Sequence, residues 1–173
     1  MQDIHAKAAQ IKLVVFDVDG VLTDGSLFLG DDGQEYKAFY SRDGHGMKLL
    51  QASGVEIGII TGRSSNVVKL RMEGLGVRHV YQGRLDKLPA FEHLLAATGY
   101  TADAVAYVGD DVMDIPVLRH AGLAVAVQDA HPEVKNHAHW ITPSPGGRGA
   151  ARDVCELLMQ AQGTWEAQLG QYL

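Results

Sequence analysis

Residues 13–25 of this 173-residue chain have the sequence LVVFDVDGVLTDG, which gives the clearest indication of the fold. Its first four residues are apolar and favour a β-strand that is buried on both faces, and the apolar run predicts a strand over Ile11–Phe16. Two acids, Asp17 and Asp19, follow this strand. Because ligands bind beyond the carboxyl ends of the strands in an open α/β sheet, this junction is a candidate functional site.

A short apolar run, a polar turn and a stretch of helical periodicity recur along the chain. Continuous apolar strands that alternate with helices indicate βαβ units, and so an α/β fold with a Rossmann-like, doubly wound, mostly parallel sheet. The predicted strands are Ile11–Phe16, Val55–Ile60, Arg78–Tyr81, Ala104–Val108, Leu123–Val127 and His139–Ile141. The predicted helices lie near Gly46–Ala52, Asn66–Leu75, Lys87–Ala97, Ile115–His120 and Ala150–Gln162.

One segment departs from this pattern. Two extended runs, Ser26–Leu29 and Glu35–Phe39, flank the turn sequence Gly-Asp-Asp-Gly and predict a β-hairpin insertion over residues 26–39. The hairpin carries more apolar surface than a lone two-stranded ribbon should leave in water. The apolar residues concerned are Leu27, Phe28, Leu29, Tyr36 and Phe39.

The C-terminal region gives weaker signals. The run Gly146-Gly147-Arg148-Gly149 predicts a flexible turn with exposed backbone. Residues 163–173 show no clear periodicity, and we expect them to be a mobile tail or an arm that reaches a neighbouring subunit. Since no interdomain linker is evident, residues 1–173 are expected to form a single domain.

Composition excludes several classes of function. The chain is 46% hydrophobic and 21% charged with a net charge of −6, and it has no basic block, which argues against nucleic acid or an anionic membrane as a partner. No apolar run approaches the roughly 20 residues that span a bilayer, and no secretory signal is evident at the start. The single cysteine, Cys155, suits a reducing compartment, so a cytoplasmic location is expected.

Acidic residues follow two of the predicted strands. Asp17 and Asp19 can serve as nucleophile and general acid/base in one pocket, whereas Asp110, Asp111 and Asp114 repel one another unless a cation lies among them. A lone Asp pair in a loop is more often a turn former or a helix cap. Two such clusters at two strand ends favour instead a hard cation with oxygen ligands, for which Mg²⁺ is the candidate.

Two further residues could bind an anion between these clusters. Thr61 lies at a strand-to-helix turn, where a hydroxyl and free backbone N–H groups can hold phosphate oxygens, and Lys87 opens a predicted helix, where a cation is unfavourable without a nearby anion. Each residue alone would be interpreted as a helix cap or a surface lysine. The histidines His131, His137 and His139 lack metal-ligand spacing and are expected to be surface or capping residues.

The order of these motifs resembles the haloacid-dehalogenase-like superfamily of phosphatases. The resemblance implies that Asp17 is the nucleophile, that Asp19 is the general acid/base, and that Thr61 and Lys87 bind the transferring phosphoryl group. It also implies a set of groups around Mg²⁺. The ligands would be the carboxylates of Asp17 and Asp110 and the backbone carbonyl of Asp19, with Asp111 and Asp114 orienting the metal-bound waters and Lys87.

A closer resemblance, to members without a large cap domain that act on keto-deoxy sugar-acid phosphates, covers Ile11 to about Gly163. It rests on the motifs at residues 17–25, 42–44, 81–83, 109–111, 129–132 and 146–150. It implies a homotetramer with the hairpin at the subunit contact. The substrate-binding positions it implies, beyond Asp19 and Lys87, are Tyr40, Ser41, Arg42, Asp43, Gly44, Lys48, Arg63 and Arg71.

Two alternatives remain open from the sequence. A phosphatase of a related nonulosonate 9-phosphate would share every catalytic residue. The same fold can also persist as a non-catalytic oligomerisation module, against which the intact set of Asp17, Asp19, Lys87 and Asp110 argues.

Overall fold

The protein is represented by a computed structural model that describes residues 2–173. The main sheet has six parallel strands in the order β5-β4-β1-β6-β7-β8, and a separate antiparallel pair, β2 and β3, forms a hairpin. The strands are β1 Leu13–Phe16, β2 Phe28–Leu29, β3 Glu35–Tyr36, β4 Glu56–Ile60, β5 His79–Tyr81, β6 Val105–Gly109, β7 Leu123–Ala126 and β8 Trp140–Ile141.

Helices precede, connect and follow the strands of the main sheet. They are α1 Gln2–Ala8, α2 Ser41–Ala52, α3 Asn66–Leu75, α4 Leu88–Thr98, α5 Ile115–Leu118, α6 Pro132–Asn136, α7 Ala150–Ala161 and α8 Trp165–Leu169. The chain builds outward from β1 to β4 and β5 on one side, then returns to add β6, β7 and β8 on the other. The predicted doubly wound, mostly parallel sheet is confirmed.

The central strands are buried on both faces, as their continuous apolar sequences predict. Every residue of β1, β6 and β7 is buried, and β1 pairs in parallel with β4 on one side and β6 on the other. Because strand order reverses beside β1, the loops that follow β1 and β6 diverge and leave a crevice at the carboxyl edge of the sheet.

The first helix after the hairpin begins earlier than predicted. The sequence predicts a helix near Gly46–Ala52, whereas α2 begins at Ser41. Its glycines allow close packing between elements instead of forming a turn. A Cβ at Gly44 would lie 2.2 Å from Nη2 of Arg71, and a Cβ at Gly46 would lie 2.7 Å from Cδ of Arg152 on α7.

The predicted hairpin is confirmed, with Phe28 opposite Tyr36 and Leu29 opposite Glu35. Its outward apolar side chains are largely exposed: 53% for Phe28, 67% for Leu29 and 60% for Tyr36. Phe39 differs from the expectation, because it turns inward against the core and Arg71 stacks on its ring.

The C-terminal expectations need correction. Residues 165–169 form α8, and a 3₁₀ turn over Gly170–Tyr172 follows. This segment packs on its own chain, since Trp165 lies under the guanidinium of Arg152 and the Tyr172 hydroxyl is 2.9 Å from Nε2 of His45. A five-residue helix is too short to show a periodic pattern.

The glycine run before α7 is also not the flexible turn that its sequence predicts. Gly146 and Gly147 are buried against the loop that follows β1. A Cβ at Gly146 would lie 1.8 Å from the carbonyl oxygen of Gly20, and the N–H of Gly147 donates to the carbonyl of Val21 at 2.8 Å. Only a residue without a side chain permits this approach, so the run supports the Asp17–Gly25 loop.

Within residues 2–173, no helix combines the length and the apolar character needed to cross a membrane.

Candidate active site

The carboxyl ends of three adjacent strands form the candidate site. Asp17 follows β1, Thr61 follows β4 and Asp110 follows β6, so the sheet alone brings these residues to one edge. A cavity of about 200 Å³ opens between the loops. Its lining residues are Asp17, Asp19, Thr61, Gly62, Arg63, Leu85, Lys87, Asp110, Asp111, Met113 and Asp114.

Lys87 is the cation that holds the acidic loops together. Its Nζ lies 2.9 Å from Oδ2 of Asp17 and 2.6 Å from Oδ1 of Asp114, and all three residues are buried. The sequence indicated only a lysine at the start of a helix. The structure places Lys87 immediately before α4, with its ammonium group directed at two carboxylates from two different loops.

Tyr107 is a member of this network that the sequence did not reveal. It lies in the middle of β6, is fully buried, and donates a hydrogen bond of 2.6 Å to Oδ1 of Asp114. A single tyrosine in an apolar strand carries no functional signal of its own. Burial raises its pKa well above the ordinary value, and the charge of Asp114 adds to the effect, so Tyr107 acts as a hydrogen-bond donor.

Burial also shifts the ionisation of the charged partners. Desolvation raises the pKa of Asp17 to about 6, although Lys87 opposes the shift. Burial lowers the pKa of Lys87, but the charges of Asp17 and Asp114 outweigh it and leave the pKa above the ordinary value. Lys87 is therefore charged at pH 7. Removing one member of such a buried pair typically costs about 3–5 kcal/mol, because the other charge is left unpaired.

Asp110 has the features of a metal ligand. Its Oδ1 is buried and has no hydrogen-bond partner within the described residues. Burial raises its pKa to about 8, and the charges of Asp17 and Asp114 contribute. A Cβ at Gly20 would fall 2.0 Å from Oδ2 of Asp110, so glycine is needed for the loops to approach. An acceptor that lacks a donor in an acidic pocket fits a cation.

Asp17, Asp110 and Asp114 each have one carboxylate oxygen that lies within 4.8 Å of the corresponding oxygens of the other two residues. Hydrogen bonding distinguishes Asp114 from the other two residues. Its Oδ1 accepts from Lys87 and Tyr107, and its Oδ2 accepts from the backbone N–H groups of Asp110 and Asp111. With its lone pairs occupied, Asp114 suits an orienting role, whereas Asp17 and Asp110 retain capacity for a metal. Oxygen-only ligands at this edge fit Mg²⁺.

Asp19 is held by a residue that the sequence did not indicate. Its Oδ1 accepts a hydrogen bond from Nζ of Lys37, which lies just beyond β3. Nζ of Lys37 is also 2.7 Å from Oε1 of Glu35, and Oε2 of Glu35 accepts from Arg63 at 3.2 Å. In the sequence, Lys37 and Glu35 are ordinary charged residues of a hairpin strand.

The remaining predicted phosphate-binding residue, Thr61, is buried beside Asp17 in the cavity wall. Its backbone N–H donates to the carbonyl of Tyr81, whereas its hydroxyl has no hydrogen-bond partner within residues 2–173. The hydroxyl therefore remains available to a ligand, as the predicted role requires.

The predicted sugar-acid contacts divide into three groups. Arg63 lines the catalytic cavity. Tyr40, Asp43, Gly44 and Arg71 line a separate small crevice beside Phe39 and are not brought to the catalytic residues within one chain. The exposed residues Ser41, Arg42 and Lys48 lie on α2.

Asp43 is the buried member of the separate crevice. Its Oδ1 accepts from the backbone N–H of Arg152 at 2.9 Å, and its Oδ2 is buried without a partner. Burial raises its pKa to about 6, although the backbone N–H groups of Arg152 and Gly149 oppose the shift.

The histidines do not form a metal centre in the part of the chain that the structure describes. His131 caps α6 by accepting from the N–H of Glu133 at 3.2 Å, which agrees with a capping role. His139 accepts from the N–H of Ala124, and burial lowers its pKa.

Comparisons with known proteins agree with this geometry. The family model of haloacid dehalogenase-like hydrolases matches residues 76–152. The 3-deoxy-D-manno-octulosonate 8-phosphate phosphatase KdsC of Escherichia coli K12 is 48% identical over 169 residues, which is 98% of this chain and 90% of the relative. The Yersinia pestis protein of that name is 46% identical over 168 residues, covering 97% of this chain and 90% of the relative.

Solved structures lead to the same family. The crystal structure of 3-deoxy-D-manno-octulosonate 8-phosphate phosphatase from Moraxella catarrhalis, in complex with magnesium ion, phosphate ion and KDO molecule, superposes with a TM-score of 0.98. It is 40% identical and covers 100% of this chain and 99% of that chain. The crystal structure of a probable YrbI family phosphatase from Pseudomonas syringae also gives a TM-score of 0.98, at 49% identity over 99% of this chain and 98% of that chain.

Fold, acidic site and relatives together define a phosphatase class, and the chain belongs to the haloacid dehalogenase-like hydrolases. Within that family, both curated relatives described above carry the name 3-deoxy-D-manno-octulosonate 8-phosphate phosphatase, and the sequence motifs show the same particular resemblance. The predicted family is thus confirmed.

Metal binding can be tested without turnover. Adding Mg²⁺ to chelator-treated protein is expected to raise the Tm by several degrees, because an ion at about 100-fold its Kd stabilises the folded state by about 2.7 kcal/mol. Asp110→Asn should remove most of this rise, since it neutralises the carboxylate whose oxygen lacks a donor. Differential scanning calorimetry over a Mg²⁺ titration measures the shift.

Asp103→Asn is the matched control, because it makes the same change at an exposed residue away from the site. It should respond to Mg²⁺ as the unaltered protein does. Equal rises in Tm for the unaltered protein and Asp110→Asn would contradict the assignment of Asp110.

Proposed function

We propose that this protein is a Mg²⁺-dependent phosphatase that hydrolyses 3-deoxy-D-manno-octulosonate 8-phosphate to the free sugar acid and inorganic phosphate. The observation that carries the proposal is the buried carboxylate of Asp17, which lies against the ammonium of Lys87 and beside the unpartnered oxygen of Asp110. The names of the close relatives supply the substrate.

In the first half of the reaction, a carboxylate oxygen of Asp17 attacks the phosphorus. The bond between phosphorus and the sugar oxygen breaks, and Asp19 gives its proton to the departing oxygen. The product is the free sugar acid, and the phosphoryl group remains on Asp17 as an acyl phosphate. Covalent catalysis of this kind divides one difficult displacement into two easier ones.

In the second half, Asp19 takes a proton from a water molecule whose oxygen attacks the phosphorus. The bond to Asp17 breaks and its carboxylate is restored, while Asp19 is again protonated for the next cycle. The sum is one ester and one water converted to one alcohol and one inorganic phosphate.

The remaining residues overcome the repulsion between a carboxylate nucleophile and an anionic substrate. Lys87 and the hydroxyl of Thr61 bind the phosphoryl oxygens, and preorganised donors of this kind are typically among the largest contributions to catalysis. Mg²⁺, when bound by Asp17, Asp110 and the backbone carbonyl of Asp19, supplies Lewis-acid stabilisation of the charge on the transferring group. Asp111 and Asp114 support that site.

Substrate choice is proposed to depend on cations that bind the sugar-acid carboxylate. Arg63 lies at the catalytic cavity, whereas Arg42, Lys48 and Arg71 lie apart from it in one chain. Arginine binds a carboxylate through two parallel hydrogen bonds, which suits this task. We place the reaction in lipopolysaccharide core biosynthesis and in the cytoplasm. The single cysteine is free and buried, and a protein without an internal disulfide suits a reducing compartment.

We also propose that the protein is a homotetramer in which the hairpin lies at the subunit contact. Leu27, Phe28, Leu29 and Tyr36 form an exposed apolar surface on an element with only two short strands. A neighbouring subunit would cover this surface. It would also bring Arg42, Lys48 or Arg71 of one chain towards the cavity of another, which would account for their separation within one chain.

The proposed substrate can be tested with a panel of phosphate esters assayed for phosphate release. We expect kcat/KM for 3-deoxy-D-manno-octulosonate 8-phosphate to exceed that for a nonulosonate 9-phosphate by about tenfold or more, because a pocket fitted to one sugar acid disfavours a longer one. Chelation should abolish release and Mg²⁺ should restore it.

A higher kcat/KM for the nonulosonate 9-phosphate would identify that ester, and not 3-deoxy-D-manno-octulosonate 8-phosphate, as the substrate. Absence of release from every ester, with folded and Mg²⁺-loaded protein, would favour a non-catalytic oligomerisation module.

The proposed hairpin contact can be tested by introducing charged side chains into it and measuring the size of the assembly. Multi-angle light scattering should report a tetramer for the unaltered protein and a smaller species for the double variant Leu27→Glu/Leu29→Glu, because burying two carboxylates in an apolar contact is unfavourable. Ile141→Glu is the control, since Ile141 is also exposed but lies on β8, at the opposite edge of the sheet from β4 and β5, and it should leave the assembly unchanged. A monomeric unaltered protein at micromolar concentration would contradict the hairpin contact.

A further inference from the structure

Lys37 is unusual for a lysine of a surface hairpin. Its side chain is only 1% exposed. Its ammonium group lies between Oδ1 of Asp19 and Oε1 of Glu35, and the second contact is 2.7 Å long. Burying a lysine is costly unless anions compensate the loss of water, and these two carboxylates do so.

The geometry of the hairpin strand explains how Lys37 reaches the site. Successive side chains of an extended strand point to opposite faces. Glu35, Lys37 and Phe39 are partly buried, whereas Tyr36 and Ala38 between them are exposed. One face of this segment therefore carries a carboxylate and an ammonium towards the catalytic loop. The other face carries Tyr36 into the exposed apolar surface.

The contact leaves Asp19 with one occupied and one free oxygen. Oδ1 is bound to Lys37, and Oδ2 makes no hydrogen bond within residues 2–173. Because Asp19 lines the catalytic cavity, its free oxygen is available to a reacting group there. Without Lys37, rotation of the Asp19 side chain would have no restraint from a charged partner.

We propose that Lys37 is a positioning residue that fixes the carboxyl group of Asp19 for proton transfer to the departing sugar oxygen. Glu35 forms a second ion pair with Lys37 and links the pair to Arg63. The inference rests on the proposed function, in which Asp19 is the general acid/base. It adds a hairpin residue to that function and connects the element proposed to make the subunit contact with the proton-transfer step.

The leaving group provides the test. A sugar alkoxide needs a proton as it departs, whereas 4-nitrophenolate does not, so loss of the acid affects the two esters differently. Lys37→Met should lower kcat/KM for the sugar-acid phosphate by about 10- to 100-fold. This loss is smaller than the roughly 10²- to 10⁴-fold contribution of general acid catalysis, because Asp19 itself is still present. Hydrolysis of 4-nitrophenyl phosphate should change by no more than about threefold. Lys37→Arg, which keeps the charge, should recover most of the loss.

Controls separate this inference from the function on which it rests. Asp19→Asn should show the same selective loss to a greater degree, and failure of Asp19→Asn to distinguish the two esters would overturn the role of Asp19 itself. If Asp19→Asn distinguishes them and Lys37→Met does not, only the role of Lys37 is wrong. A gain in activity for Lys37→Met would also overturn it, since Lys37 would then restrain Asp19 unproductively.

Two further variants complete the test. Lys12→Met makes the same change at an exposed lysine before β1 and should leave both esters unaffected. If Lys37→Met does not fold, as judged by circular dichroism, Glu35→Gln keeps the ammonium group and removes the charge of its second anchor. A several-fold loss shared by the sugar-acid phosphate and a simple alkyl phosphate without a carboxylate, but absent with 4-nitrophenyl phosphate, then supports the proposal. An equal effect on all three esters contradicts it, and so does a loss confined to the sugar-acid phosphate, which would reflect Arg63 and the substrate carboxylate instead.

Discussion

The site depends on the repulsion among carboxylates that the sheet brings to one edge. Asp17, Asp110 and Asp114 follow adjacent strands, and each has an oxygen within 4.8 Å of the others. Two unit charges 4 Å apart repel by about 4 kcal/mol at an effective dielectric constant of 20. The buried ammonium of Lys87 offsets part of this repulsion. Burial, together with the charges of Asp17 and Asp114, raises the pKa of Asp110, and Oδ1 of Asp110 has no hydrogen-bond partner within residues 2–173, so Lys87 leaves this carboxylate uncompensated. A divalent cation would complete the compensation.

The fold is arranged to maintain this crowded geometry. Buried strands fix the positions at which the acids emerge, and Tyr107 and two backbone N–H groups saturate Asp114 so that it cannot rotate freely. Gly20 allows Asp110 to approach the Asp17–Gly25 loop, and Gly146 packs closely against the carbonyl oxygen of Gly20 in that loop. Each of these contacts limits the movement by which the carboxylates could relieve their mutual repulsion.

The hairpin has two faces with different tasks. Its inward face carries Glu35 and Lys37 to Asp19, and its outward face leaves Phe28 and Tyr36 exposed. A subunit that covers the outward face would stiffen the strand and, through it, the acid/base residue. Assembly and proton transfer would then be linked through one short strand, which suits a phosphatase whose core has no large cap domain.

The sequence predicted those features that depend on local pattern. Asp17 directly follows an apolar strand and Asp110 follows another, so their meeting at one edge follows from the parallel sheet. Contacts between distant segments left no such pattern. Lys37 resembles a solvated hairpin lysine, Tyr107 resembles an ordinary strand residue, and nothing in the sequence indicates that Arg71 and Arg152 pack against the glycines of α2. The short helix α8 has too few residues for a periodic signal.

Chemical trapping can detect covalent attachment of the phosphoryl group to Asp17. Enzyme mixed with the sugar-acid phosphate and Mg²⁺ is quenched in acid during turnover, reduced with borohydride and analysed by peptide mass spectrometry. Homoserine is expected at position 17, because borohydride reduces an aspartyl phosphate and leaves a free carboxylate intact. With 4-nitrophenyl phosphate, whose leaving group needs no proton, Asp19→Asn slows attack by water but not formation of the acyl phosphate and should increase the yield of homoserine. Unmodified Asp17 in the unaltered protein during rapid turnover and in Asp19→Asn treated with 4-nitrophenyl phosphate, or a phosphoryl group trapped on another residue, would contradict covalent attachment to Asp17.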